Sequence, residues 1–266
     1  MGEFDAIRRF AERYPKVGDD AAVISDGLLL ASDAVVEGVD FPPGAAEADV
    51  GWRAIAVNVS DIAAMGGTPD AVLVTVVGPP STDLDGLYVG IDEACAAYGC
   101  VVVGGDLSNG PALVVSVAIT GGADRPVLRS GARAGDRLWV SGTLGGAAAS
   151  GYLERPQPPA SLGPHVAALG ATSMIDVSDG LAADLCHVLD ASGVGAAVAD
   201  NDIPVAHGAN LYQALTGGDD YELLFTLPPD VAAPGGCVAI GSIVGDASSR
   251  PVWTVGVDGG WQHRFS

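Results

Sequence analysis

Aspartate is the residue type whose placement in this chain most strongly suggests chemistry. It outnumbers glutamate by 26 to 7, and many aspartates stand beside glycine or serine in short blocks, a pattern that needs an explanation. Turn formation explains any single block, because Asp and Gly are the commonest turn residues. The blocks are Gly18-Asp19-Asp20, Ser32-Asp33, Ser60-Asp61, Gly104-Gly105-Asp106, Asp176-Val177-Ser178-Asp179-Gly180 and Gly217-Gly218-Asp219-Asp220.

As a set, the blocks favour a cation-binding crevice. Asp33, Asp106 and Asp176 each follow an apolar run, so we expect each to end a strand and the three carboxylates to share one crevice. Carboxylates packed together repel each other, and bound cations remove that repulsion. Mg²⁺ suits such oxygen ligands and commonly joins a few carboxylates to substrate phosphates. Neighbouring glycines leave backbone amides open to phosphate oxygens.

The scarcity of lysine excludes several classes of phosphate-handling enzyme. Lys16 is the only lysine, and neither a GxxxxGK[ST] loop nor a Val-Ala-Ile-Lys strand is present in the sequence. The sequence also has no Gly-x-Ser-x-Gly elbow and no Cys-x-x-Cys pair. Phosphoryl transfer needs mainly positioning and charge neutralisation, which metal ions can supply. The residues therefore favour a nucleotide enzyme without a P-loop.

Composition and charge indicate a globular protein that avoids nucleic acid and membranes. The 266 residues are 48% hydrophobic and carry a formal charge of -21, which is repelled by phosphate backbones. The few cations form no stripe, so we expect no nucleic acid partner. No apolar run reaches the ~18 residues that cross a bilayer, and the N-terminus has no signal-peptide pattern. We therefore expect no membrane association and a cytoplasmic location.

Alternating helix and strand patterns predict an α+β protein. A linker at 121–126 divides it into an N-terminal domain, 1–124, and a C-terminal domain, 125–266. The Asp26-Gly27 pair between two apolar runs predicts a hairpin. The predicted helices are 3–14, 48–65, 84–98, 142–153 and 181–191. The predicted strands are 21–24, 28–32, 71–77, 101–103, 113–120, 137–141, 174–177, 196–198, 222–227, 237–244 and 252–255.

Seven blocks, in order along nearly the whole chain, closely resemble the thiamine-monophosphate kinase family. AIR (aminoimidazole ribonucleotide) synthase and other relatives of the same architecture share the general Asp/Gly pattern but match these blocks less well. The blocks are VGDDAAV (17–23), SDAVVEGVDF (32–41), GWRAIAVNVSDIAAMG (51–66), VGGD (103–106), RSGARAGD (129–136), IDVSDGL (175–181) and GGDDYELLF (217–225).

The resemblance implies an AIR-synthase-like α+β fold and a kinase activity. It implies that two N-terminal domains pair into a barrel across a homodimer, flanked by α/β C-terminal domains. The family transfers the γ-phosphoryl group of ATP directly to thiamine monophosphate, so no protein nucleophile is expected. By position in the motifs, the ligands of several Mg²⁺ ions are Asp20, Ser32, Asp33, Asp61, Asp106, Asp176 and Asp179. The nucleotide contacts are Tyr88, Gly105, Asp106, Arg129 and Ser178.

The implied acceptor site departs from the family pattern. Its residues are Asp40, Asp219 and Trp261; the family usually has histidine at position 40 and glutamate at position 219. Two carboxylates still favour a cationic thiazolium ring, because opposite charges attract at close range. They also leave open a related ATP-dependent enzyme that acts on another small phosphate or carboxylate. A noncatalytic nucleotide-binding homologue is the remaining alternative.

Overall fold

The computed structural model describes residues 16–257 together with Ile7, Arg9, Phe10, Arg13 and Tyr14. Most of the predicted helix 3–14 lies outside the described residues, and so does the predicted acceptor residue Trp261. Among the residues that are described, no helix combines the length and hydrophobicity that a bilayer crossing requires.

The first half of the chain forms a five-stranded mixed sheet of order β1-β2-β5-β3-β4. Only the pair β3–β4 is parallel, and the other neighbours are antiparallel. The strands are β1 (Ala22–Ser25), β2 (Leu28–Val36), β3 (Thr68–Gly78), β4 (Val101–Asn109) and β5 (Val114–Gly122). The predicted hairpin at Asp26-Gly27 is confirmed: both residues have positive φ angles, as a tight two-residue hairpin turn requires.

Two helices, α1 (Glu47–Ala64) and α2 (Leu84–Tyr98), cover one face of this sheet. Almost all of α1 is buried, because it lies between α2 on one side and the buried side chains of β5 on the other. The helices approach closely at Gly51 and Gly90. A Cβ at either position would lie about 2 Å from a carbonyl oxygen of the other helix, at 2.1 and 1.8 Å respectively.

The second half of the chain forms an antiparallel sheet of order β7-β9-β6-β10-β8. Its strands are β6 (Arg137–Val140), β7 (Ser173–Asp176), β8 (Gly195–Val198), β9 (Leu223–Leu227) and β10 (Val238–Val244). The accompanying helices are α3 (Gly146–Ala149), α4 (Leu162–Ala168), α5 (Leu181–Ser192) and α6 (Leu211–Thr216), with a 3₁₀ turn at Asp200–Asp202.

A shared apolar cluster joins the two sheets. Ala63 and Ala64 at the end of α1 pack with Met174 of β7 and with Phe225 of β9. Helix α1 therefore belongs to the first half of the chain by sequence but contacts the second sheet as well. This contact brings the carboxyl end of β7 next to the C-terminal part of α1, where the candidate site forms.

The α+β fold class is confirmed, and several element boundaries differ from the predictions. The predicted helix 142–153 is reduced to Gly146–Ala149, because positive φ angles at Gly151 and Tyr152 turn the chain out of the helix. The predicted strand 252–255 is irregular, and Gly121 and Gly122 belong to β5 rather than to a linker. Helices α4 and α6 were not predicted.

The expectation that three aspartates end strands is correct only for Asp176, the last residue of β7. Asp33 lies in the middle of β2, and Asp106 lies in the middle of β4. Both strands continue through the carboxylate because its side chain lies on an exposed stretch of the sheet, where no burial opposes a charge.

Candidate functional site

A cleft of about 410 Å³ lies where β2, α1 and the loop after β7 meet. Most of the residues that the sequence analysis singled out line this cleft, although they come from six separate blocks of sequence. They are Asp20, Ser32, Asp33, Asp40, Asp61, Arg129, Asp176, Ser178, Asp179 and Asp219.

Three carboxylates form a compact group in the cleft, and we call them the carboxylate cluster. Asp20 precedes β1, Asp61 lies on α1 and Asp176 ends β7; one oxygen of each lies within 4.8 Å of the other two. Ser60 Oγ fixes this geometry by donating a 2.6 Å hydrogen bond to Asp176 Oδ2. Asn58, one turn before Asp61 on α1, accepts a 2.9 Å hydrogen bond from the backbone N–H of Asp33 and so connects β2 to the same helix.

The carboxylate cluster is electrostatically unfavourable without a cation. Burial raises the pKa of Asp61 well above its ordinary value, and the charges of Asp33, Asp176 and Asp20 raise it further. Burial and the neighbouring Asp20 raise the pKa of Asp176 to about 7. A set of carboxylate oxygens that repel each other in this way matches the ligand set that hard divalent cations prefer. These three residues therefore fit a divalent metal ion.

A second group of potential metal ligands adjoins the first. Ligand atoms of Asp179, Asp184 and His187 lie within 4.8 Å of one another, with Asp184 and His187 one turn apart on α5. The backbone N–H of Asp179 donates to Asp184 Oδ2 at 3.2 Å. Burial, followed by the charges of Asp179 and Asp176, raises the pKa of Asp184 well above its ordinary value.

Two arginines supply positive charge to the cleft, and each is paired with a different aspartate. Arg129 Nη2 donates to Asp20 Oδ1 at 2.7 Å, and its backbone N–H donates to Asp19 at 2.8 Å. Burial opposes the charge of Arg129, but Asp20, Asp176 and Asp184 together raise the pKa of the guanidinium above its ordinary value. Arg53 Nη1 donates to Asp219 Oδ2 at 2.6 Å.

An apolar pocket of about 520 Å³ opens next to the cleft and shares Asp40, Ser178 and Asp219 with it. Apolar and aromatic side chains of two facing segments form its walls. The wall residues include Val39, Phe41, Pro42, Pro43, Tyr152 and Leu153. The combined shape is a polar, carboxylate-lined compartment that continues into an apolar one.

Both aspartates that were predicted for the acceptor site have fixed hydrogen-bond partners. Asp40 Oδ2 accepts a 2.7 Å hydrogen bond from the backbone N–H of Val36 and closes the turn after β2. Asp219 accepts from Arg53 and also from the hydroxyl of Tyr221, at 3.2 Å.

Three predicted site residues lie away from this cleft: Tyr88 on α2, and Gly105 and Asp106 on β4. In the sheet, β5 and β3 lie between Asp33 on β2 and Gly105 on β4, and the residue pairing across these strands aligns the two positions. Asp33 and Gly105 are therefore three strand spacings apart, or about 14 Å. The expectation that Asp106 meets Asp33 and Asp176 in one crevice of the same chain is therefore wrong. Gly105 has φ +153°, and a Cβ there would lie 1.8 Å from the oxygen of Val74.

The sequence analysis missed several residues that line or support the cleft: Asp19, Arg53, Asn58, Ser60, Asp184, His187 and Tyr221. A signal existed for some of them. Asp19 adjoins a predicted ligand, and Asp184 and His187 are three residues apart on a helix that follows two predicted ligands, so they share a face. Arg53 carried no comparable signal, because its partner Asp219 is distant in sequence.

Comparison with known proteins agrees with the fold. Residues 18–123 match the family model for the AIR synthase related protein, N-terminal domain. A solved structure described as AaThiL complexed with AMPPCP and TMP superposes with a TM-score of 0.92, at 33% identity over 99% of this chain and 97% of that one. A two-sheet α+β fold with a carboxylate-lined cleft at the contact of the sheets thus defines a protein of the AIR synthase-related class.

The closer assignment comes from full-length relatives. The thiamine-monophosphate kinase of Rhodopirellula baltica is 38% identical over 82% of this chain and 77% of its own length. That of Halobacterium salinarum is 36% identical over 99% of this chain and 100% of its own length. The chain belongs to the thiamine-monophosphate kinase family.

Proposed function

We propose that this protein transfers the γ-phosphoryl group of ATP to the phosphate of thiamine monophosphate, which yields thiamine diphosphate and ADP. The observation that carries the proposal is the direct connection between the carboxylate cluster and the apolar pocket. Mg²⁺-bound phosphates suit the first compartment, and an aromatic ring system suits the second. The family's kinase name and the AaThiL structure with AMPPCP and TMP support the same donor and acceptor.

The metal ligands follow from the charges in the cleft. Asp20, Asp61 and Asp176 would hold Mg²⁺, with Ser32, Asp33 and Asp179 at the edges of the same cleft. Bound there, Mg²⁺ supplies neutralisation of phosphate charge. Arg129 adds a guanidinium fork that suits phosphate oxygens, and Ser178 offers a hydroxyl beside it. Acceptor and donor phosphates can then approach in line without a covalent enzyme intermediate.

The position of Asp106 supports a homodimer. Strand β4 is an edge strand, all nine of its residues are exposed, and Val101, Val103 and Leu107 are each more than half exposed. Exposed apolar edges of this kind favour pairing with another chain. We propose that two N-terminal domains pair along β4 into a barrel and that Gly105, Asp106 and Tyr88 of one copy contact the nucleotide and metal ions of the other.

The two halves of the chain have different proposed roles. We propose that residues 1–124 form the dimerising, Mg²⁺- and ATP-binding domain and that residues 125–266 form the second domain. Asp40, Asp219 and Trp261 are assigned to the acceptor. Because ATP is the phosphoryl donor, we place the reaction in the cytoplasm.

The experiment that tests this function is a coupled ADP-release assay with ATP and Mg²⁺, with and without thiamine monophosphate, in which thiamine diphosphate is quantified by chromatography. We expect one thiamine diphosphate for each acceptor-dependent ADP. ATP hydrolysis or binding without that product contradicts the proposal and directs the search to other small phosphates or carboxylates.

A further inference from the structure

Arg53 is buried at the contact between the two halves of the molecule. It lies on α1, and only 7% of its side chain is exposed. Besides its 2.6 Å bond to Asp219, Nη2 donates to the backbone oxygen of Tyr152 at 3.1 Å and lies 3.5 Å from that of Glu154. One guanidinium therefore holds two separate segments of the second half of the chain, 151–155 and 217–221.

Both of these segments form a wall of the apolar pocket. Tyr152, Leu153 and Asp219 line that pocket, and the facing wall, 38–43, belongs to the first half of the chain. The separation of the two walls consequently depends on how the second half is anchored to α1. Arg53 is a buried anchor at the point where the pocket meets the carboxylate-lined cleft, since Arg53 lines the cleft and its partner Asp219 lines both.

Backbone strain is concentrated around the same guanidinium. Among the described residues, four that are not glycine have positive φ angles, and three of these are Tyr152, Asp219 and Tyr221, at 63°, 59° and 51°. Such conformations are strained for residues that carry a Cβ and persist only where neighbouring contacts hold them. Arg53 contacts Tyr152 and Asp219 directly, and Tyr221 donates its hydroxyl to Asp219.

We propose that Arg53 is the positioning residue of the acceptor pocket: by pairing with Asp219 and binding the Tyr152 carbonyl, it sets the pocket width that an acceptor with an aromatic ring requires. This inference rests on the proposed function for the identity of the acceptor. It predicts an effect on acceptor affinity that is separate from ATP binding, because Arg129 and the carboxylate cluster do not depend on these contacts.

The test compares steady-state kinetics of Arg53→Gln and Arg53→Lys with the wild type. For Arg53→Gln we expect KM for thiamine monophosphate to rise by ~10-fold or more while KM for ATP stays within about twofold. Arg53→Lys retains the positive charge but loses the forked guanidinium group. Its KM for thiamine monophosphate should therefore lie between that of the wild type and that of Arg53→Gln. The matched control is Arg250→Gln. Arg250 pairs with Asp190 on α5, away from the acceptor pocket, and that ion pair is exposed and contributes little.

The outcomes separate this inference from the proposed function. A wild type that makes no thiamine diphosphate refutes the proposed function. A wild type that is active, combined with Arg53→Gln that changes both KM values equally or neither, refutes the positioning role. If Arg53→Gln does not fold, Arg53→Lys decides, since it keeps the charge and loses the guanidinium fork that binds both segments. A selective rise in acceptor KM in that variant supports the role, and unchanged acceptor KM overturns it.

Discussion

The aspartates of the cleft divide into two groups that differ in what the fold provides for them. Asp20, Asp61 and Asp176 crowd together, and burial with mutual repulsion raises the pKa of Asp61 and Asp176. Asp20 pairs with Arg129 and Asp176 accepts from Ser60, but these donors offset the crowding only in part. Asp40 and Asp219 lie outside the cluster and accept hydrogen bonds from a backbone N–H and from a buried guanidinium. The same side chain therefore destabilises the metal-free protein in the first group and stabilises a local structure in the second.

This contrast indicates which carboxylates are reserved for a ligand. A carboxylate that has donors of its own and lies outside such a crowded group belongs to the scaffold, and its loss leaves those donors unsatisfied. A carboxylate that is crowded by others, and whose hydrogen bonds offset the repulsion only in part, lowers the stability of the metal-free protein. Such residues are expected at sites that bind charged ligands. We accordingly propose that the carboxylate cluster is the metal-binding part of the site and that the other pair shapes the acceptor pocket.

The largest expected effect comes from Asp61→Asn, which removes one charge from the carboxylate cluster. We expect Mg²⁺-dependent kinase activity to fall on the order of 10³-fold, because a metal ligand and its charge are lost together. The melting temperature of the metal-free protein should stay the same or rise, since a repelled charge is gone. Asp70→Asn, on an exposed position of β3, is the control. An unchanged kcat in Asp61→Asn removes this residue from the metal site.

Asp106 is a predicted metal ligand that lies outside the cleft of its own chain. If a partner copy supplies it, the dimer-disrupting change Leu107→Lys should yield monomers and reduce kinase activity by roughly 10²-fold, since a lysine charge cannot be buried in an apolar edge. Light scattering and kinetics measure the two effects. Val252→Lys is the matched control, as Val252 is 88% exposed and lies far along the chain from β4. Monomers with full activity contradict a contribution from the partner.

The pH dependence of stability separates the two groups without any substrate. Asp61 and Asp176 have pKa values in the folded protein above their ordinary value of 3.8, to about 7 for Asp176. The folded state thus binds extra protons, so their contribution is complete below about pH 4 and is lost as pH rises toward 7. We expect the metal-free protein to melt ~3–5 °C lower at pH 8 than at pH 5.5, as measured by calorimetry. Asp61→Asn should flatten this dependence, and a wild type that is more stable at pH 8 argues against the repulsion.

The smallest effect is expected from Asp40→His. The substitution removes the acceptor for the Val36 N–H, and we expect a loss of about 1 kcal/mol in the free energy of unfolding. Acceptor KM should change by less than about fivefold, because the pocket walls are retained. Chemical denaturation and kinetics give both values, and Asp40→Asn, which keeps the acceptor oxygen, should restore most of the stability. A selective loss of acceptor turnover in both variants places the carboxylate itself in contact with the acceptor.

Sequence patterns predicted the long elements of the fold well and the irregular ones poorly. The boundaries of the helix 84–98 are correct, because an Asp83 cap and a Gly99 terminator are local signals. The segment 142–153 was mistaken for a helix, since its alanines favour one whereas the positive φ of Tyr152 is imposed by distant contacts such as Arg53.

The same distinction applies to the site. Short blocks of sequence identified the aspartates that the cleft brings together, because each block is a local turn or a strand segment with its own signal. They could not identify Arg53 or Ser60, whose partners Asp219 and Asp176 are more than 100 residues away. The place of Asp106 depends on the order of strands in a sheet, which no local pattern encodes.

The most direct test of the contrast is a thermal-shift titration with Mg²⁺ and AMPPCP at pH 8 on the wild type, Asp61→Asn and Asp219→Asn. If the carboxylate cluster binds the metal-bound phosphates and Asp219 serves the acceptor pocket, the wild type and Asp219→Asn should gain similar stability while Asp61→Asn gains almost none. Equal stabilisation of Asp61→Asn and the wild type contradicts the account.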